Sequence, residues 1–145
     1  MLNDAFKLVG SLAIVVTGPD GQVKDKCEVH NLVVDTGKAF IAGRMTGTVT
    51  AMSHMSLGTG AVAAVVADTA LDAEIGRVSL TNASSTGAVA TYIANFPADT
   101  ATGAITEAGI FNAASAGSML CRTVFPVVNK AAADSMAITW QVTAS

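Results

Sequence analysis

The chain has 145 residues, 51% of them hydrophobic and only 13% charged, with a formal net charge of −3 at pH 7. That balance argues against a nucleic-acid partner, because phosphate binding needs clustered Lys and Arg and the eight basic residues are scattered. The length fits a single domain over 1–145 with a self-sufficient core. So few charges predict a surface that is neutral or covered by other subunits, with a homodimer or homotrimer as the expected form.

Met1, Leu2, Asn3, Asp4 and Ala5 show no pattern of their own and lack a basic stretch followed directly by an apolar run. They are expected to form an interface arm that orders against a neighbouring subunit. Phe6 to Thr17 alternates with period two, which predicts a strand. Gly18-Pro19-Asp20-Gly21 is a strong turn signal, and Gln22 to Asp35 resumes as the hairpin partner. Its apolar phase shifts from Cys27 and Val29 to Leu32 and Val34, which predicts a β-bulge near His30-Asn31. Lys24 and Lys26, separated by Asp25 and followed by Glu28, read as a solvated strand face. Thr36 to Met45 is the expected helix, capped by Asp35 or Thr36 and ended by Gly47.

Met52 to Arg77 follows, MSHMSLGTGAVAAVVADTALDAEIGR, and its plausible task is to hold two layers of sheet in register. Gly58 and Gly60 would supply positive φ at a turn. Asp68 with Thr69 would bond its own backbone, and Leu71 with Ile75 would plug a core. Arg77 to Asn82 and Ala88 to Phe96 are expected strands joined by a turn over Ala83 to Gly87. Pro97 to Gly103 reads as a polar loop, and strands are expected over Ile105 to Asn112, Ser118 to Val127 and Ser135 to Thr143. Seven to nine short strands with one short helix predict a mainly β chain, an antiparallel β-sandwich or jelly roll. The uncharged runs Met45 to Ala67 and Val78 to Ala98 are too diluted by Thr, Ser, Asn and Gly to supply a membrane span.

Motifs for chemistry are sparse. His30 and His54 have no second ligand at metal-binding spacing, the G-x-S-x-G elbow is absent, and Gly58-Thr59-Gly60 lacks the Lys-Ser/Thr ending of a phosphate loop. Cys27 and Cys121 sit in apolar alternation and are expected to be buried, free thiols. No catalytic, cofactor or metal residue is therefore assigned. Glu107 is the carboxylate of most interest. In an apolar strand it needs a cationic partner, for which Arg77, Arg122 and Lys130 are the candidates. Trp140 with Tyr92 keeps a glycan-binding, lectin-like module as a third functional reading, although the alternation of Trp140 with Met136, Ile138 and Val142 fits a core.

Two segments resemble known sequences. LGTG (57–60) leads through an alanine-rich linker to DTAL (68–71), an acidic residue and Arg77. ITEAGIFNAASAGSMLCRTVFP runs from Ile105 to Pro126, with Lys130 beyond it. Together they are similar to segments of small virion proteins of tailed bacteriophages and of the collar-proximal domain of some phage tail fibres, over roughly Asn31 onwards. The resemblance implies a non-catalytic virion protein of the capsid-decoration or cement type. Such a protein is assembled in the host cytoplasm and bound to the major capsid protein between capsomers. The alternative is a tail collar, adaptor or fibre protein bound to tail or portal-proximal proteins. The resemblance also puts Glu107 and Arg77 in the two recurring segments, which makes Arg77 the expected partner of Glu107.

Overall fold

The computed structural model describes residues 6–145, so the expected arm of Met1 to Ala5 lies outside the described residues. Among those described are β1 (Leu8–Thr17), β2 (Val23–Val33), α1 (Asp35–Thr46), β3 (His54–Gly58), β4 (Glu74–Ser79), β5 (Asn82–Thr86), β6 (Val89–Phe96), β7 (Gly103–Phe111), β8 (Met119–Lys130) and β9 (Ser135–Ala144). The chain is mainly β. Its nine antiparallel strands form one curled sheet in the order β4-β3-β7-β8-β2-β1-β9-β6-β5, consistent with the sandwich-like class.

Two corners let a single sheet fold over itself. Gly10 to Thr17 of β1 pair with the long first part of β2, whereas Leu32 and Val33 at its end pair with Arg122 and Cys121 of β8. The other corner is β4 and β5, which stand at opposite ends of the strand order yet are separated by only Leu80 and Thr81. The Leu80 N–H donates to Ser53 O and the Thr81 N–H to Ile93 O, so these two residues carry the chain from one layer to the other. The main core lies between the layers. It includes Leu12, Ile14, Met55, Phe96, Ile110 and Ile138, with Phe40 of α1 closing one side.

The alternation of β1 and β9 is realised as expected. Leu12, Ile14 and Val16 on one strand and Met136, Ile138, Trp140 and Val142 on the other are buried, with the residues between them more exposed. The tight turn also forms, with Gly21 at φ 80° and the Gln22 N–H donating to the Asp20 carboxylate. The bulge expected at His30-Asn31 is not there: register with β1 is unbroken from Gly10↔Asn31 to Val16↔Asp25 and shifts only at Val16/Thr17. The apparent phase change has another cause. Asn31 occupies a core-facing slot, where its Oδ1 accepts the Trp140 Nε1–H at 2.9 Å. Gly10 faces it across the ladder, and any Cβ there would overlap the Asn31 amide. Asn31→Leu should leave the buried indole N–H without an acceptor, at a cost of about 1 to 3 kcal/mol. Urea denaturation measures this, and an unchanged midpoint would show the hydrogen bond to be dispensable.

Three further expectations are corrected. α1 begins after Val34, which stands at the N-cap with no side-chain cap bond, and Thr36 Oγ1 instead donates to Met119 O at 2.7 Å. Gly47 does end the helix, in the left-handed region at φ 72°. Ala83 to Gly87 is not a turn: Asn82–Thr86 form β5, which pairs with β6 around a turn at Gly87 and Ala88. All five β5 residues are exposed, so no buried period marks the strand in the sequence. Lys24 is not merely solvated, because its Nζ bonds the buried Asp134 carboxylate at 2.8 Å and ties β2 to the turn before β9.

Candidate functional site

The fifteen residues between β3 and β4, 59–73, form no regular structure. Loops of this length inside a compact domain are uncommon and are often the functional ones. Its ends are set by the β3–β4 ladder and by the Thr59 N–H donating to Ala73 O. Leu71 pins its last part by packing with Val34, Phe111 and Met119 in a second small core. Beyond the bonds the strap makes within itself, its Ala and Val side chains offer no partners, so backbone groups at both of its ends are held by something buried beneath.

That group is Glu107 of β7, fully buried. The register shift between Ile105 and Glu107 leaves Ile105 in the main core and turns Glu107 towards the loop. Its Oε1 accepts the N–H of Gly60 at 3.1 Å and of Ala73 at 2.6 Å, and its Oε2 accepts the N–H of Asp72 at 2.9 Å. Arg122 of β8 completes the set through Nε at 3.1 Å and Nη2 at 2.8 Å, both on Oε2. The same guanidinium reaches further along the loop, with Nη1 on Asp68 Oδ2 at 2.9 Å and Nη2 on Val62 O at 2.9 Å. Asp68 in turn accepts the Val65 N–H, Thr106 Oγ1 donates to Gly60 O, and the Asp35 N–H donates to Val66 O. Gly60, Val62, Asp68, Asp72 and Ala73 are thereby tied to one buried ion pair.

Electrostatics favours the charged carboxylate. Burial alone would raise the Glu107 pKa, but the N–H groups of Ala73 and Asp72, the Arg122 guanidinium and the Gly60 N–H together hold it below its ordinary value. With five donors on its two oxygens, the carboxylate acts as an acceptor that organises backbone.

Four of the five structural residues expected from the sequence meet here: Glu107, Gly58, Gly60 and Asp68. The two glycines serve a different end from the one expected, since neither has positive φ. A Cβ at Gly58 would lie 2.5 Å from Glu107 Oε1, and one at Gly60 would lie 2.6 Å from it, so both positions must stay bare to admit the carboxylate. Arg77 is not the partner of Glu107. It sits opposite Ser56 on β4, two strands from β7, and is held by Glu74 at 2.7 Å and by the carbonyls of Ala113 and Ala116, with its guanidinium over the Phe111 ring. Hairpin arithmetic favours Arg122 instead: across the turn after β7, Glu107 pairs with Val124, which leaves Arg122 diagonal to it on the same face. Lys130, the third candidate, is buried and donates to Pro97 O at 2.9 Å.

The remaining candidates are dispersed. His54 lies on β3 with Ser53 Oγ 2.7 Å from Nδ1, and His30 is exposed on β2. Cys27 is half-buried and Cys121 fully buried, both free, and burial pushes the Cys121 thiol well up. Trp140 is wholly enclosed and Tyr92 lies opposite it in the ladder, so the indole offers no face for a sugar to stack on. The part of the latched strap around residues 61–67 presents apolar side chains outward: Val62, Val65 and Val66 are 64%, 54% and 44% exposed, whereas Thr69 and Asp72 are exposed further along. Among the described residues no helix is long and apolar enough to cross a membrane. Compared with protein-family models, curated proteins and solved structures, the chain matches none.

Proposed function

We propose that the chain is a non-catalytic bacteriophage virion protein of the capsid-decoration type, which docks between capsomers through the 59–73 strap and stabilises the shell. The supporting observation is that the two segments resembling phage virion proteins converge on one buried ion pair, whose effect is to hold a row of exposed valines in place. A preorganised apolar strap loses little entropy on docking, which suits an adhesive surface.

Purified chain added to undecorated shells should bind in hundreds of copies per particle. Val62→Asp with Val65→Asp should weaken that binding by about tenfold or more, as removal of central apolar anchors does. Both side chains are largely exposed, so the unfolding free energy should move by no more than about 0.5 kcal/mol. Unaltered shell binding by the double variant would sink the strap as the docking surface. About a dozen or fewer copies per particle would move the protein to the tail collar or fibre.

A further inference from the structure

The strand order ends at β4 on one side and at β5 on the other, and the two edges differ. An edge strand offers unpaired N–H and C=O groups along its outer side, which charge, proline or a bulge ordinarily guards against pairing with another chain. β4 is guarded, since it carries Glu74 and Arg77 and its register with β3 shifts at Gly58. β5 is not. Asn82 to Thr86 contain neither charge nor proline, their ladder with β6 is regular, and no charged residue occurs from Val78 to Ala98. All five residues are exposed, so the strand is open along its length. The two-residue turn at Gly87 and Ala88 makes Thr86 and Val89 a bonded pair, and alternation along the antiparallel ladder then turns the N–H and C=O of Ala83 and Ser85 away from β6. Among the described residues, no backbone bond takes up those groups on the outer side.

We propose that β5 pairs with β5 of a second copy, antiparallel about a twofold axis, so that the β2-β1-β9-β6-β5 layers of two molecules continue into each other. The residues of the strand favour this occupant. Full overlap sets Ser84 opposite the partner's Ser84, Ala83 opposite the partner's Ser85 and Asn82 opposite the partner's Thr86, which joins the outward groups of Ala83 and Ser85 in bonded pairs. A strand with a charge at its middle meets the same charge when it pairs with itself, whereas β5 sets small and hydroxyl-bearing side chains face to face. The assembly closes at two copies, because the twofold axis uses the one unguarded edge of each. This contact is independent of the shell-docking reading, since the strap joins β3 to β4 in the other layer.

Full-length Ser84→Lys and full-length Ser84→Glu each place like charges face to face at the twofold axis and leave the exposed strand otherwise intact. Sedimentation equilibrium at high micromolar concentration should show a dimer for the unaltered chain and association weakened by about tenfold or more for either variant alone. An equimolar mixture of the two should regain the dimer, with lysine set against glutamate. Amide hydrogen exchange reads the edge directly: the N–H groups of Ala83 and Ser85 should be protected in the parent and lose that protection in each variant, with far-ultraviolet circular dichroism unchanged. Val62→Asp with Val65→Asp should remain dimeric, which separates this contact from the strap. A monomeric parent, dimers that persist in both charge variants, a mixture no more associated than its components, or dissociation by the strap variant would each overturn the pairing.

Discussion

Glu107→Gln should destabilise the fold by about 3 to 5 kcal/mol, the range for stranding one member of a buried ion pair. The carboxamide would present an NH2 to a pocket already filled by the donors of Gly60, Asp72, Ala73 and Arg122. Arg122→Met should cost a similar amount, and the double variant should fall short of the sum by about 1 to 3 kcal/mol, because the two changes remove one shared interaction. Arg77→Met combined with Glu107→Gln should be additive, since Arg77 belongs to Glu74 and the 112–118 turn. Additivity for Arg122 and coupling for Arg77 would reverse the assignment of the pair. The pH dependence follows from a folded-state pKa held below the ordinary carboxyl value. The stability Glu107 contributes is fully present above the unfolded value of about 4.3 and is lost as pH falls through the lower folded value. Urea midpoints below about pH 4 should therefore drop for the parent, and that part of the drop should vanish in Glu107→Gln.

Gly37→Ala should destabilise by about 3 kcal/mol, although the same change in an exposed helix interior ordinarily stabilises by about 0.5 to 1 kcal/mol. Gly37 is buried in α1 where the helix lies against β8, and a Cβ there would overlap the Leu120 carbonyl. Backbone cannot move aside as a flexible side chain does, so the whole helix would have to lift. Lifting it would draw Phe40 from the core and strain the Thr36 bond to Met119 O. Thermal denaturation with circular dichroism tests the sign, and a raised melting temperature would show that α1 does not depend on this close approach.

Where a side chain's environment follows its neighbours in sequence, the fold could be read in advance. Leu12, Ile14 and Val16 alternate because one face of β1 is buried, and Gly47 ends α1 because only the left-handed region turns the chain there. β5 was illegible for the converse reason: Asn82 to Thr86 bury nothing, and the strand exists only by pairing with β6. Asn31 misled because a polar side chain in an inward slot looks like a slipped register until its indole partner, far away in sequence, is known. At the candidate site, Glu107 stood out as a carboxylate in an apolar strand, but its partner depended on strand order. Resemblance between segments favoured Arg77, whereas the β7–β8 hairpin placed Arg122 beside it.

The placing of β9 between β1 and β6 has a consequence for how the protein comes into being. On the ribosome β1 is made early, yet one whole side of it stays unsatisfied until residues 135–144 have emerged. The layer that contains β1, β9, β6 and β5 is thus closed by its last strand, which must enter between two waiting edges. Vectorial synthesis can complete the β1–β2, β5–β6 and β7–β8 hairpins one by one, but it cannot complete the sheet. Until then the facing edges of β1 and β6 stay unpaired, and the nascent chain is open along them to the intermolecular strand pairing that β9 later prevents there.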